Sequence, residues 1–143
     1  LRRLRGPFGG RLRGTDHARV VAHTAAIAER LEHNLAALDT DVTIALLHYS
    51  PVVDTLAGEP PEIHPFLGSY LLAQAIDAYP PNLVLHGHAH RGTERGTTPG
   101  GVRVRNVAQP VLNAPFHVYE LHESGDSSRQ EVSKSPRRVA DLV

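Results

Sequence analysis

In the stretch Leu83-Val84-Leu85-His86-Gly87-His88-Ala89-His90, a short apolar run leads directly into alternating histidines. In an extended backbone, alternate side chains point to the same side. His88 and His90 are therefore expected to converge on one ion or on two adjacent ions. Gly87 has no Cβ, so it is expected to let the chain turn sharply or approach an ion closely. A second apolar run, Val42-Thr43-Ile44-Ala45-Leu46-Leu47, ends in His48-Tyr49-Ser50-Pro51. In α/β architectures, functional groups gather at the C-terminal ends of strands. Two strands that each deliver histidine at that end point to a metal-dependent hydrolase.

With ten histidines in 143 residues, a lone His-x-His pair says little. The argument rests on the placement of His48, His88 and His90 after apolar runs. Cysteine is absent, so disulfides and thiolate ligands are excluded and a metal must be held by nitrogen or oxygen. An all-imidazole set suits Mn, Fe, Zn or Ni better than Mg or Ca. Ligating imidazoles must be neutral, so metal binding is expected to weaken as pH falls. The formal net charge is zero, so no nucleic-acid partner is expected. No apolar run approaches the roughly 20 residues of a membrane span, and no apolar signal segment is visible. A cytoplasmic location is the expectation. The chain begins at Leu1 and contains no methionine, which reads as the C-terminal portion of a longer protein.

Other polar residues have less specific readings. His86 ends a buried strand and is expected to pack or bond to backbone, with orientation of a ligand as the alternative. Arg91 is placed to meet a phosphate, since a planar guanidinium matches one, or to be solvated. Glu59 is placed to line a substrate mouth. Asn106, at a strand end, either faces the site or bonds to backbone. His64 reads as a loop residue, and His17, His23 and His33 as solvated positions on a helix.

The elements that must position these groups follow from periodicity. Residues 1–15, LRRLRGPFGGRLRGT, are rich in Gly and Arg and read as an irregular arm. Val20, Ile27, Leu31, Leu35 and Leu38 recur at helical spacing, which predicts a helix over 16–38 capped by Thr15 or Asp16. The near-continuous apolar character of 42–47 predicts a strand covered on both faces. A long connection with Pro51, Gly58, Pro60, Pro61 and Pro65 follows, of the kind that forms lids or binding loops. Ser69 is an N-cap for a helix that Pro80-Pro81 terminates. A strand over 83–86, a turn-rich tip at 96–101, a one-sided strand over 102–107 and an alternating strand over 116–121 complete the set. From Glu123 onward, Ser and charge predict a disordered tail. The domain is expected to span 16–122.

Together, the run LLHYSPVVDTLAGEPPEIHPFLGS and the run LVLHGHAHRGTERGTTPGGVRVRNVA resemble the calcineurin-like metallophosphoesterases, over roughly Thr43 to Leu112. That resemblance implies an α/β fold, the C-terminal half of a β-sandwich flanked by helices, with metals held on loops at strand ends. It implies two divalent ions in the complete protein, with His48 and His88 on the second and His90 on the first. It also implies a phosphoester substrate. The family's remaining motifs have the forms Asp-x-His, Gly-Asp-x-x-Asp and Gly-Asn-His-Asp, and none occurs here; Gly125-Asp126 lacks the second Asp. The bridging aspartate, the ligand asparagine and the leaving-group histidine are thus absent from these residues. At most partial metal occupancy is expected for this chain.

Two other functional readings remain open on the residues. One is a mononuclear centre of His48, His88 and His90, similar in ligand set to carbonic-anhydrase-type zinc sites. The other is a non-catalytic half-domain that associates through an exposed sheet edge.

Overall fold

A computed structural model of the chain describes residues 14–121. Most of the basic arm and the tail from 123 lie outside the described residues. Helix α1 (Gly14–Ala36) leads into strand β1 (Ile44–Leu47). Two single-turn 3-10 segments, Asp54–Leu56 and Pro61–Ile63, precede the short helix α2 (His64–Leu67) and the longer α3 (Tyr70–Ala78). Then come β2 (Leu83–His86), β3 (Arg95–Thr97), β4 (Arg103–Asn106) and the short helix α4 (Gln109–Leu112). The molecule is a mixed α/β structure, with one four-stranded sheet in the order β1-β2-β4-β3 among the described residues.

β1, β2 and β4 run parallel, and β3 is antiparallel to β4. The register pairs Leu47 with His86 and His86 with Asn106. The C-terminal ends of three parallel strands therefore line up, and the residues that follow each of them share one end of the sheet. Leu35, Ala45, Val52, Ala73, Ile76, Val84, Val102 and Val104 form the main core, with Leu31 and Leu47 packed against it. Through these residues α1 and α3 cover one face of the sheet. Val84, Val104 and Ile76 are fully buried, and each such side chain contributes about 1.5–3 kcal/mol by leaving water.

α3 follows its sequence signals closely. The Ser69 hydroxyl accepts the Leu71 N–H at 3.3 Å, and the helix ends just before Pro80. Strand β2 occupies the expected residues. α1 begins at Gly14, so Thr15 and Asp16 lie inside its first turn rather than before it. Ala28 and Leu35 are buried on its core side, while Leu38 lies past its end and is exposed.

Four expectations are corrected. β1 is not covered on both faces by the described residues: Ile44 is 50% and Leu46 76% exposed. Ala45 and Leu47 point to the helices, and the alternate residues do not. The connection after β1 is folded, with two 3-10 turns, α2 and a buried Ser50, Thr55 and Glu59. The face of β4 expected to be wet is largely covered, since Arg105 is 6% exposed and Arg103 half-buried. The alternating residues 116–121 form no strand; Phe116 and Val118 are 65% and 70% exposed. Alternation makes a strand only where a sheet edge accepts it.

Candidate metal centre

β1 and β2 end side by side, and the chain leaves each of them with a histidine close behind. The rings of His48 and His88 lie 4.3 Å apart, centroid to centroid, tilted by 41°. Tyr49, which sequence reasoning passed over, stands edge-on to both, 5.0 Å from His48 and 5.3 Å from His88. β2 stops at His86, so His88 and His90 lie on a loop rather than a strand. Ala89, between them, points inward and is fully buried with Leu56 and Leu67.

The His88 imidazole is held below its ordinary pKa, first by burial and then by the nearby His48. His90 pushes the same way, whereas a hydrogen bond to the Phe66 backbone and the Glu59 carboxylate oppose it. A lowered pKa keeps His88 neutral, the state in which imidazole donates its lone pair. His48 and His90 are exposed. The structure thus brings His48 and His88 into ring contact, with His90 close enough to act on His88 electrostatically.

The histidine loop is pinned from three directions. Glu59, 9% exposed, accepts the Arg91 N–H on its Oε1 at 2.7 Å. It thus braces the loop rather than standing free at a substrate mouth. Asn106 donates from Nδ2 to the Ala89 carbonyl at 2.6 Å and accepts the Ala108 N–H at 3.2 Å. Of the two readings of Asn106, backbone bonding is the one observed, and it acts on the histidine loop. Gly92 sits against the Thr55 carbonyl oxygen, which a Cβ at that position would strike. At Gly87, the glycine expected to matter, a Cβ would make only ordinary van der Waals contact with the Ala108 nitrogen at 4.0 Å, and its φ is not positive. The tight approach is at Gly92 instead.

His86 is fully buried and bonds to a side chain, not to backbone: its Nε2 lies 2.8 Å from the Thr55 hydroxyl. Its Nδ1 is buried and has no hydrogen-bond partner among the described residues. Burial, reinforced by His88, lowers its pKa to about 4. Arg91 is exposed, and His64 opens α2 with its Nε2 at 3.2 Å from the Glu59 carbonyl. His23 and His33 are exposed on α1, as expected; the side chain of His17 lies outside the described residues.

The donor set decides what these residues can hold. Among the described residues, no three or more histidine, aspartate or glutamate side chains are arranged to hold a metal ion. Glu59, the carboxylate that acts on His88, already accepts a backbone N–H. A dinuclear centre, which needs bridging oxygen ligands, is therefore not assembled by these residues alone. The His48–His88 pair is the part that fits a transition metal. A separate groove of about 1260 Å³ opens between α1, α3 and the segment after β1, lined by Thr24, Val52, Phe66, Leu71, Gln74 and Thr98 among others. None of His48, His88 and His90 lines it; the histidine and carboxylates that do are His64, Asp54 and Asp77. No helix among the described residues is long and apolar enough to cross a membrane. Compared with known families, curated proteins and solved structures, the chain matches no family model, no curated protein and no structure.

Proposed function

We propose that this chain is the histidine-bearing part of a metal-dependent phosphoric ester hydrolase of the calcineurin-like type. His48 and His88 would ligate one divalent transition metal, and His90 would ligate the second of a dinuclear centre. The bridging aspartate and the other oxygen ligands must come from residues outside the described ones, in the same polypeptide or in another. The observation that carries this reading is the ring contact of His48 and His88 at the aligned ends of parallel strands. The open β1 face, with Ile44 and Leu46 exposed, supports a second layer of structure in the complete assembly, as the β-sandwich of that family would provide.

The gene upstream of the Leu1 codon supplies the test. An in-frame extension encoding Asp-x-His and Asn-His-Asp motifs is expected. The longer protein should bind two metals and hydrolyse bis(p-nitrophenyl) phosphate, with turnover lost in His88→Ala. One zinc per chain with no turnover would favour the mononuclear tris-histidine centre. Failure of both Zn²⁺ and Mn²⁺ to bind in a manner sensitive to His48→Ala and His88→Ala would overturn the reading.

A further inference from the structure

Three buried side chains span the gap between the ends of β1 and β2. Ser50 Oγ lies 2.7 Å from Thr55 Oγ1, which in turn lies 2.8 Å from His86 Nε2. All three residues are at most 1% exposed. Each hydroxyl has one proton to give. The Val52 carbonyl lies 2.7 Å from Ser50 Oγ and 3.3 Å from Thr55 Oγ1, and Ser50 also accepts the Val52 N–H at 3.2 Å. The Thr55 proton therefore has an oxygen acceptor, Ser50 or the Val52 carbonyl, without using the ring. The Thr55 oxygen can then accept from His86 Nε2.

The reverse direction, with Thr55 donating to the ring, fails at the other ring nitrogen. The ring would then carry a buried Nδ1–H with no acceptor among the described residues. An unpaired buried N–H is the rarer and costlier defect. His86 is therefore the Nε2–H tautomer, with a lone pair on Nδ1.

This chain begins two positions past His48, at Ser50, and ends two positions before His88, at His86. The β1–β2 ladder itself stops at Leu47 and His86. We propose that His86 is a positioning residue, which acts through Thr55 and Ser50 to set the separation and tilt of the His48 and His88 rings. The inference concerns the metal-free geometry and stands apart from the hydrolase reading.

The test is NMR of the metal-free full chain at neutral pH, using ¹⁵N shifts to assign the His86 tautomer and ring-to-ring NOEs to report the His48–His88 contact. His86 is expected to be protonated on Nε2 and bare on Nδ1. Thr55→Val and His86→Leu should lose the ring-to-ring NOE. Thr55→Ser, which keeps the hydroxyl, and His86→Gln, whose amide N–H can reach Thr55, should retain it. A wild-type Nδ1–H tautomer would overturn the proposal, as would an NOE that survives in Thr55→Val. Loss of the NOE in both conservative variants would overturn it too. Should the disruptive variants fail to fold, the wild-type tautomer and the conservative pair still decide. Zn²⁺ affinity then separates this inference from the metal site. If His48 and His88 bind the ion, Thr55→Val should weaken it about 10-fold, the scale of effects from partners behind metal ligands.

Discussion

Asn106, the last residue of β4, donates its Nδ2 to the Ala89 carbonyl at 2.6 Å and so ties a strand end to the loop that carries His88 and His90. The side chain is fully buried, and its Oδ1 accepts the Ala108 N–H at 3.2 Å. Asn106→Leu removes both bonds and leaves a backbone carbonyl and an N–H without these partners. A cost of about 2–4 kcal/mol is expected, since each stranded buried group costs about 1–3 kcal/mol. Asn106→Asp keeps the acceptor but faces a carboxylate toward a carbonyl oxygen, and it should be nearly as damaging. Urea denaturation measures both; a loss under about 0.5 kcal/mol would mean that the carboxamide does not hold the loop.

Gly92 lies so close to the Thr55 carbonyl that a methyl group cannot be added without moving one of the two segments. Gly92→Ala is expected to destabilise the fold by about 1–3 kcal/mol, as overpacking does, and to shift the resonances of Thr55 and His86. Gly87→Ala meets only an ordinary van der Waals contact with the Ala108 nitrogen and should be tolerated within about 0.5 kcal/mol. Thermal unfolding of the pair checks the contrast.

His86 titrates at about 4 in the folded protein, below its ordinary 6.5, because burial and then His88 disfavour its charged form. Between those values the unfolded chain binds a proton that the folded chain does not. Stability from this group is therefore complete above about pH 6.5 and falls as pH drops toward 4. The loss reaches about 3 kcal/mol, at about 1.4 kcal/mol for each pH unit of the difference. Chemical denaturation of the metal-free protein between pH 7 and 4.5 should show this decline, and His86→Gln should flatten it. An equal decline in His86→Gln would assign the effect to another group.

Leu46 is 76% exposed on the open face of β1. Leu46→Lys should change the stability of this chain by no more than about 0.5 kcal/mol while raising its solubility. Ile76→Ala, in the core that α3 makes against the other face of the sheet, where Ile76 is fully buried, should cost about 2–5 kcal/mol. A large loss from Leu46→Lys would show that something covers this face in solution.

The sequence was most readable where a local signal sufficed. Ser69 and Pro80-Pro81 bracket α3, and the apolar run 83–86 is β2 to the residue. The pairing of His48 with His88 could be anticipated because both follow such runs. β1 was misread because Ile44 and Leu46 are as apolar as Ala45 and Leu47, and composition does not say which face a neighbour covers. The bracing groups were harder to see. Thr55 meets His86 across 31 positions and Glu59 meets Arg91 across 32, so no window of sequence holds both partners. The serine directly before Pro51 was the one available hint, since such hydroxyls often bond nearby backbone.

The parallel order of β1, β2 and β4 has a kinetic corollary. Neighbours in that order join only through long crossovers, so the histidine pair cannot form from any local hairpin or helix. Its two rings meet only after the slowest kind of strand pairing is complete. The His48–His88 contact is thus a late-forming marker, and a refolding experiment that watches it would time the closing of the sheet itself.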